Sequence, residues 1–516
     1  MFTKNILKSF LLIGSAALML VSCNKEYLDT APESSTSPAT IFESTENAEL
    51  AINGICKMMS TQYLSTQGMN GEGTIKTWYA NCMGNDFQRN YLTGWLTMWN
   101  WEDMEDDSTK YNYYLWYYYY KLIGNANQVI CNIDNAEGSD SDKQFIKAQA
   151  LVFRAYSFFM LSQFYCNRWV DSNNGASKGL VLRIDTSVEP QALATLGETY
   201  AQIYADLDEA ISLFQASGRK RDAGDFFLPD LDVAYAVYAR AALTREDWAN
   251  AAKYAALARA NYSLMSSKDY MDSGFSVPND EWIWGVYEAE DQTIYYYGFY
   301  AYQGSDASSS MERTYPVSIS KELYDQIPAT DVRRKLWLEP TAEELAECNQ
   351  YGKSSGALYK RAFAEFGSKI YSTSQVYIYM QFKFQGQYQP GGGPFTLFRA
   401  AEMYLTEAEA DCHLGKESEA QKLLNELNKN HNASYNCTKT GADLLTEVKL
   451  YRRIDLWGEG FDWFDYKRWN QPIVRKSIAD GGSFQAGLAK TFEVSKNNGW
   501  TWVIPKKEKD YNNLVK

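Results

Sequence analysis

The chain has 516 residues, a formal net charge of −14, and a composition that is 45% apolar and 15% aromatic. Such an acidic surface argues against nucleic acid as a partner, and the length allows a sizeable core in more than one subdomain. With two histidines, His413 and His431, and eight cysteines without a CxxC pair, zinc sites, disulfide frameworks and histidine-based catalysis are poorly supplied, and no cofactor or metal is expected.

The N-terminus opens on Lys4 and Lys8, followed by an apolar run from Phe10 to Leu20. That run is too short to span a bilayer and has the build of a secretion signal. It ends in Leu20, Val21, Ser22 and Cys23, which predicts a lipoprotein signal over residues 1–22 with Cys23 acylated as the first mature residue. Each buried methylene contributes roughly 0.8 kcal/mol, so several acyl chains on Cys23 would hold a water-exposed domain on a membrane. Residues 23–40 carry Pro32, Pro38 and many Ser and Thr, the composition of a flexible tether.

From Ile41 the periodicity is helical, near 45–60, 110–133, 142–166, 196–215, 231–244 and 247–260. In the pair 231–260, Ala234, Tyr238, Ala241, Trp248, Ala252 and Ala255 recur at three- and four-residue spacing, which permits close antiparallel packing. The same alternation of small and large residues returns between Arg399 and Asn430 in the manner of a tetratricopeptide helix pair. The expected fold is mainly α: a tetratricopeptide-like helix-pair scaffold over 41–261 and 395–470, an inserted, less regular subdomain with short β-strands at 262–394, and a segment 471–516 packed on the scaffold. Within the insertion, Val376, Ile378, Met380, Phe382 and Phe384 alternate with polar or tyrosine neighbours, predicting a strand with one covered face. Gly391, Gly392, Gly393 and Pro394 lack the Lys-Ser or Lys-Thr of a phosphate loop and read as a flexible joint.

Fifteen aromatics crowd residues 78–120. Those from Tyr111 to Tyr120 suit helix packing, whereas Trp95, Trp99, Asn100 and Trp101 lie in a loop-like composition and predict exposed indoles. Pyranose rings stack their C–H faces on such platforms while amides, acids and guanidinium groups bond the hydroxyls. Asp86 and Arg89 stand close in sequence as the polar half of such a site. A second aromatic cluster from Trp282 to Tyr302 mostly suits one face of a sheet, with Trp284 and Tyr296 as contributions to a ligand. The acids Glu102, Asp103, Glu105, Asp106 and Asp107 offer paired carboxylates for glycoside hydrolysis, but their contiguity predicts a solvated face rather than a pair with separated pKa values.

Residues 398–427, FRAAEMYLTEAEADCHLGKESEAQKLLNEL, and 449–469, KLYRRIDLWGEGFDWFDYKRW, resemble the two most recognisable blocks of the SusD/RagB family, lipid-anchored nutrient-binding proteins of the Bacteroidetes outer membrane. The leader, the aromatic helix ending in Asn125, Ala126 and Asn127, the block Lys147 to Tyr165, and Ile504, Pro505 and Glu508 look like their counterparts. The resemblance implies a non-enzymatic capture protein that sits as a lid on a SusC-like TonB-dependent outer-membrane transporter and delivers an oligosaccharide to it. It also implies an aromatic arc, matched here by the region Asp86 to Trp101. A peptide-capturing, RagB-like role is the alternative within the family, and a surface glycoside hydrolase the alternative outside it. In the two blocks, Arg399, Glu402, Glu407 and Glu409 face Arg452, Arg453, Glu459, Asp462, Asp465 and Arg468, predicting ion pairs that lock neighbouring helices rather than a catalytic site.

Overall fold

The computed structural model describes residues 38–90, 94–272, 274–288, 290 and 297–515. The leader, Cys23 and most of the predicted tether lie outside the described residues. Residues 38–41, at the tether's end, form a short helical turn.

The long helices are α1 (Thr45–Met58), α2 (Lys110–Asn132), α3 (Asp140–Tyr165), α4 (Leu196–Ser217), α5 (Leu231–Thr244), α6 (Trp248–Arg259), α7 (Ala400–His413), α8 (Glu417–Lys429) and α9 (Gly441–Asp455). Their starts are written locally. Ser44, Thr109, Ser139, Asp230 and Asp247 each accept a backbone N–H of the first turn, and Thr195 with Glu198 forms a reciprocal capping box. Helix α3 is buried on all sides from Ala148 to Tyr165, as a helix at the centre of a large core must be. In α5 the buried Ala234, Ala236, Ala239, Ala241 and Ala242 let α6 approach closely, with Tyr238 stacked on Tyr254 at 3.9 Å. The chain therefore has the mainly α, helix-pair architecture that the sequence predicts.

Strands are short and pair as two-stranded antiparallel sheets: β1 (Phe87–Arg89) with β3 (Val317–Ile319), β2 (Trp282–Val286) with β6 (Phe395–Arg399), β4 (Lys353–Ser354) with β5 (Val376–Tyr377), and β7 (Ile473–Val474) with β8 (Thr491–Phe492). The predicted one-faced strand at 376–384 is corrected on two counts. Only Val376–Tyr377 is paired as a strand, and every residue from 376 to 384 is buried, because Met380 bridges to Ser318 on one side and Gln381 to Trp337 on the other. The glycines at 391–393 are a packed turn, not a flexible joint. A Cβ on Gly391 would stand 2.6 Å from Ala301, and one on Gly392 would stand 2.1 Å from the Tyr388 ring.

A buried ionic network fastens residues 262–394 to α9. Arg399 reaches Glu281 at 2.6 Å, Asp455 at 2.5 Å and Glu459 at 2.7 Å; Lys383 reaches Glu459 at 2.7 Å; Arg333 reaches Asp331 and Asp455, each at 2.7 Å. Burial pushes the Asp455 carboxyl up, but Arg399 and Arg333 outweigh it and hold the group well below the usual carboxylate range. Of the other predicted locks, Arg468 pairs with Glu409 at 2.5 Å and Arg452 with Asp465 at 2.7 Å, whereas Glu402 and Glu407 pair instead with Arg240 of α5 and Arg259 of α6, each at 2.6 Å, and Arg453 pairs with Asp86 at 2.7 Å.

Candidate functional site

The two aromatic-rich stretches meet in space. Trp78 stacks on Trp95 with centroids 4.3 Å apart and planes 4° from parallel, and stands edge-on to Tyr302 at 5.3 Å. Trp95 leans on Tyr111 at 4.9 Å, and Tyr302 on Tyr297 at 6.1 Å. The result is a column of five rings. Trp78, Trp95 and Tyr302 are buried in its middle, and the terminal rings of Tyr111 and Tyr297 are half-buried.

Local chemistry builds this column. Trp78 is carried on a π-helical turn, Ile75–Asn81, where the Cys82 amide donates to the Thr77 carbonyl five residues back at 2.9 Å. Gly68, at φ +87°, lies flat against the column. A Cβ there would stand 2.4 Å from the Tyr302 hydroxyl, so no other residue fits without displacing that ring. From behind, the Arg89 guanidinium sits 5.1 Å from the Trp78 centroid and 3.2 Å from Glu312, a cation–π contact made rigid by a buried ion pair. On the outside, the Tyr297 hydroxyl donates to Gln67 Oε1 at 3.0 Å, the Tyr111 hydroxyl donates to the Gly94 carbonyl at 2.5 Å, and the Lys110 ammonium lies 5.0 Å from the Tyr111 ring. Gln67, bonded to Tyr297, and Lys110, over Tyr111, are exposed and supply hydrogen-bond donors and an acceptor for sugar hydroxyls.

Most residues singled out from sequence lie elsewhere than expected. Trp95, Trp99 and Trp101 are 6%, 1% and 0% exposed, so none is an open platform. Trp99 donates to the Leu488 carbonyl at 3.1 Å beneath the Arg475 guanidinium, and Trp101 stacks on Phe492 at 4.0 Å. Trp284 is wholly buried against Phe153, Tyr156 and Phe398 and donates to the Phe227 carbonyl. Asp86 is a buried structural acid. It takes both arms of Arg453 at 2.7 and 2.8 Å, and its backbone carbonyl accepts from Trp457. Arg89 backs the column without reaching solvent. Asn100 alone keeps partial exposure, donating to Glu102 at 3.1 Å and accepting from Lys490 at 3.2 Å. Tyr296 lies outside the described residues. The acidic run is not uniformly solvated either: Asp103 is buried, and that burial raises its pKa, while Glu102, Glu105 and Asp106 are exposed. His431 is buried against Tyr270.

Beneath the column, Glu72 is enclosed by the hydroxyls of Tyr118, Tyr119 and Tyr156 at 3.1, 3.4 and 2.9 Å. Burial pushes its carboxyl up to about 7 against the pull of these hydroxyls and of Lys76. Because the folded pKa exceeds the ordinary value of about 4.3, the folded state binds the proton more tightly. Stability therefore falls as pH rises from about 4.3 to about 7, and the loss persists above that. Glu72→Gln, a mimic of the protonated acid, is expected to leave stability unchanged near pH 4 and to raise it by about 3 kcal/mol at pH 7. Denaturant melts at the two pH values check this, and equal effects at both would contradict it.

Among the described residues, no helix is long and apolar enough to cross a membrane, and no group of three or more His, Cys, Asp or Glu is placed to hold a metal ion. No curated protein sequence matches the chain. Residues 26–243 match a family model described as "Starch-binding associating with outer membrane", and residues 248–514 match one described as "SusD family". Solved structures share the fold. A SusD-like carbohydrate binding protein from Bacteroides vulgatus is 25% identical, with 92% of this chain and 98% of that chain covered and a TM-score of 0.75. A SusD superfamily protein from the same organism is 20% identical over 92% and 98% of the two chains, with a TM-score of 0.73. Another SusD superfamily protein, from Bacteroides thetaiotaomicron, is 21% identical over 92% and 99%, with a TM-score of 0.69. The helix-pair scaffold, the ion-paired C-terminal blocks and the match across residues 248–514 together show that the chain belongs to the SusD/RagB family.

Proposed function

We propose that this chain is a cell-surface, glycan-binding lipoprotein without catalytic activity, tethered to the outer membrane through Cys23. It captures an oligosaccharide and passes it to a SusC-like TonB-dependent transporter. The single observation that carries the glycan reading is the column: two half-exposed phenol rings, Tyr111 and Tyr297, held in place by a buried Trp78–Trp95–Tyr302 stack. Rings fixed in this way pay little ordering entropy when a pyranose stacks on them, and the neighbouring amide, hydroxyl and ammonium groups bond its hydroxyls. Family membership supports the transporter and the membrane location, and the Bacteroides vulgatus relative described as carbohydrate binding supports the ligand class.

A glycan array probed with the full mature chain tests this reading. The expected result is saturable binding to a restricted set of oligosaccharides with no release of reducing sugar. Peptides co-purifying with the protein, and no glycan bound, would move it to the RagB-like reading. Turnover abolished by Glu102→Gln or Asp103→Asn would establish a hydrolase and overturn it.

A further inference from the structure

A hollow of about 570 Å³ opens in the segment between the helix pairs, and none of the column's residues lines it. Its volume falls within the range of about 300–1,000 Å³ typical of small-ligand sites. Phe366 supplies half-buried aromatic wall, Tyr324 and Trp337 line the hollow while only 2% and 3% exposed, and each is fixed by a neighbouring group. Phe366 stacks face to face on Phe382 at 3.7 Å, Trp337 meets Trp457 edge-on at 5.8 Å, and the Arg334 guanidinium covers Tyr324 at 4.1 Å.

The charges are arranged unequally. Each acid lining the hollow already has a cation: Asp331 takes Arg333 at 2.7 Å, Glu339 takes Arg334 at 2.9 Å, and Glu365 takes Arg361 at 3.2 Å. The lining cations are not so matched. Exposed Lys335 makes no ion pair among the described residues, whereas Lys369 donates to the Met271 carbonyl and lies 3.6 Å from the exposed Asp272. On a chain of net charge −14, a hollow whose acids are neutralised and whose Lys335 stays open is suited to a sugar that brings its own negative charge.

We propose that this hollow is a second saccharide site, selective for an acidic unit: a pyranose carrying a carboxylate or a sulfate ester, its ring against Phe366 and its anion at Lys335. The inference rests on the glycan-binding reading above and adds the substrate class. Calorimetric titration of the full mature chain and of Lys335→Glu tests it with three probes: tetragalacturonate, a sulfated galactan oligosaccharide, and the neutral oligosaccharide selected by the array. Lys335 is exposed and unpaired, so the variant is expected to fold. The proposal predicts that at least one anionic probe binds, that Lys335→Glu weakens that binding about tenfold or more, that raising salt from about 0.05 to 0.5 M weakens it too, and that neutral binding is unchanged. Tetragalacturonate binding alone assigns the carboxylate, and sulfated galactan alone assigns the sulfate. If neither anionic probe binds, or the variant binds them as the parent does, the acidic site is overturned. Neutral binding retained in that case leaves the first reading standing, and loss of all three probes overturns both.

Discussion

Arg399→Ala is expected to lower stability by about 3–5 kcal/mol, enough to leave much of the protein unfolded at 37 °C. Arg399 is 2% exposed and is the shared partner of Glu281, Asp455 and Glu459. Removing it strands carboxylates in the interior, where an unpaired charge costs far more than the net value of the pair that held it. Lys383 and Arg333 still reach Glu459 and Asp455, but Glu281 is left with backbone donors only, the Met265 and Ala401 amides. An exposed pair provides the contrast. Arg219, 35% exposed beside Glu49 and Asp142, is expected to cost under about 1 kcal/mol on truncation. Urea melts of both variants decide the matter: Arg399→Ala within 1 kcal/mol of the parent would mean that the network does not hold the middle segment to α9.

The second large effect falls on binding. Tyr111→Ala combined with Tyr297→Ala is expected to weaken oligosaccharide affinity by about 10- to 100-fold, since each stacking ring contributes roughly 0.5–1.5 kcal/mol beyond its buried area and tenfold corresponds to 1.4 kcal/mol. Melting temperature should change less than for a buried ring, because both rings are only partly buried and lie at the ends of the column. Trp95→Ala, by contrast, removes a buried ring and is expected to lower stability and affinity together. Calorimetry paired with thermal melts separates the two cases. Unchanged affinity in the double variant would place the ligand elsewhere on the molecule.

Much of the scaffold is legible in the chain because its signals are local. Three- and four-residue spacing marks α5 and α6, polar caps such as Ser44 and Asp230 mark helix starts, and the opposed charges of the two C-terminal blocks become the Arg468–Glu409 and Arg399–Glu459 pairs. Exposure is not local, and there the expectation fails. Trp99 and Trp101 sit in a loop-like stretch, yet Leu488 and Phe492, nearly 400 residues later, arrive to cover them. The tyrosines of 376–384 look like a solvent face until the bridges to Ser318 and Trp337 enclose them on both sides. Asp86 and Arg89 read as free polar groups because their partners, Arg453 and Glu312, are remote in sequence. The aromatic surplus at 78–120 and 282–302 did carry information, but about a junction: Trp78 and Tyr302 are where the two stretches touch. Neither ring stood out from its neighbours by spacing or composition.

The most direct measurement is a crystal structure of the mature chain with the oligosaccharide that binds best on the array. The account predicts an uncleaved saccharide lying against the Tyr111 and Tyr297 rings, within hydrogen-bond reach of Gln67 or Lys110, over an unmoved Trp78–Trp95 stack. A saccharide bound only at a face remote from both tyrosines, or one found hydrolysed beside Glu102 and Asp103, would contradict it.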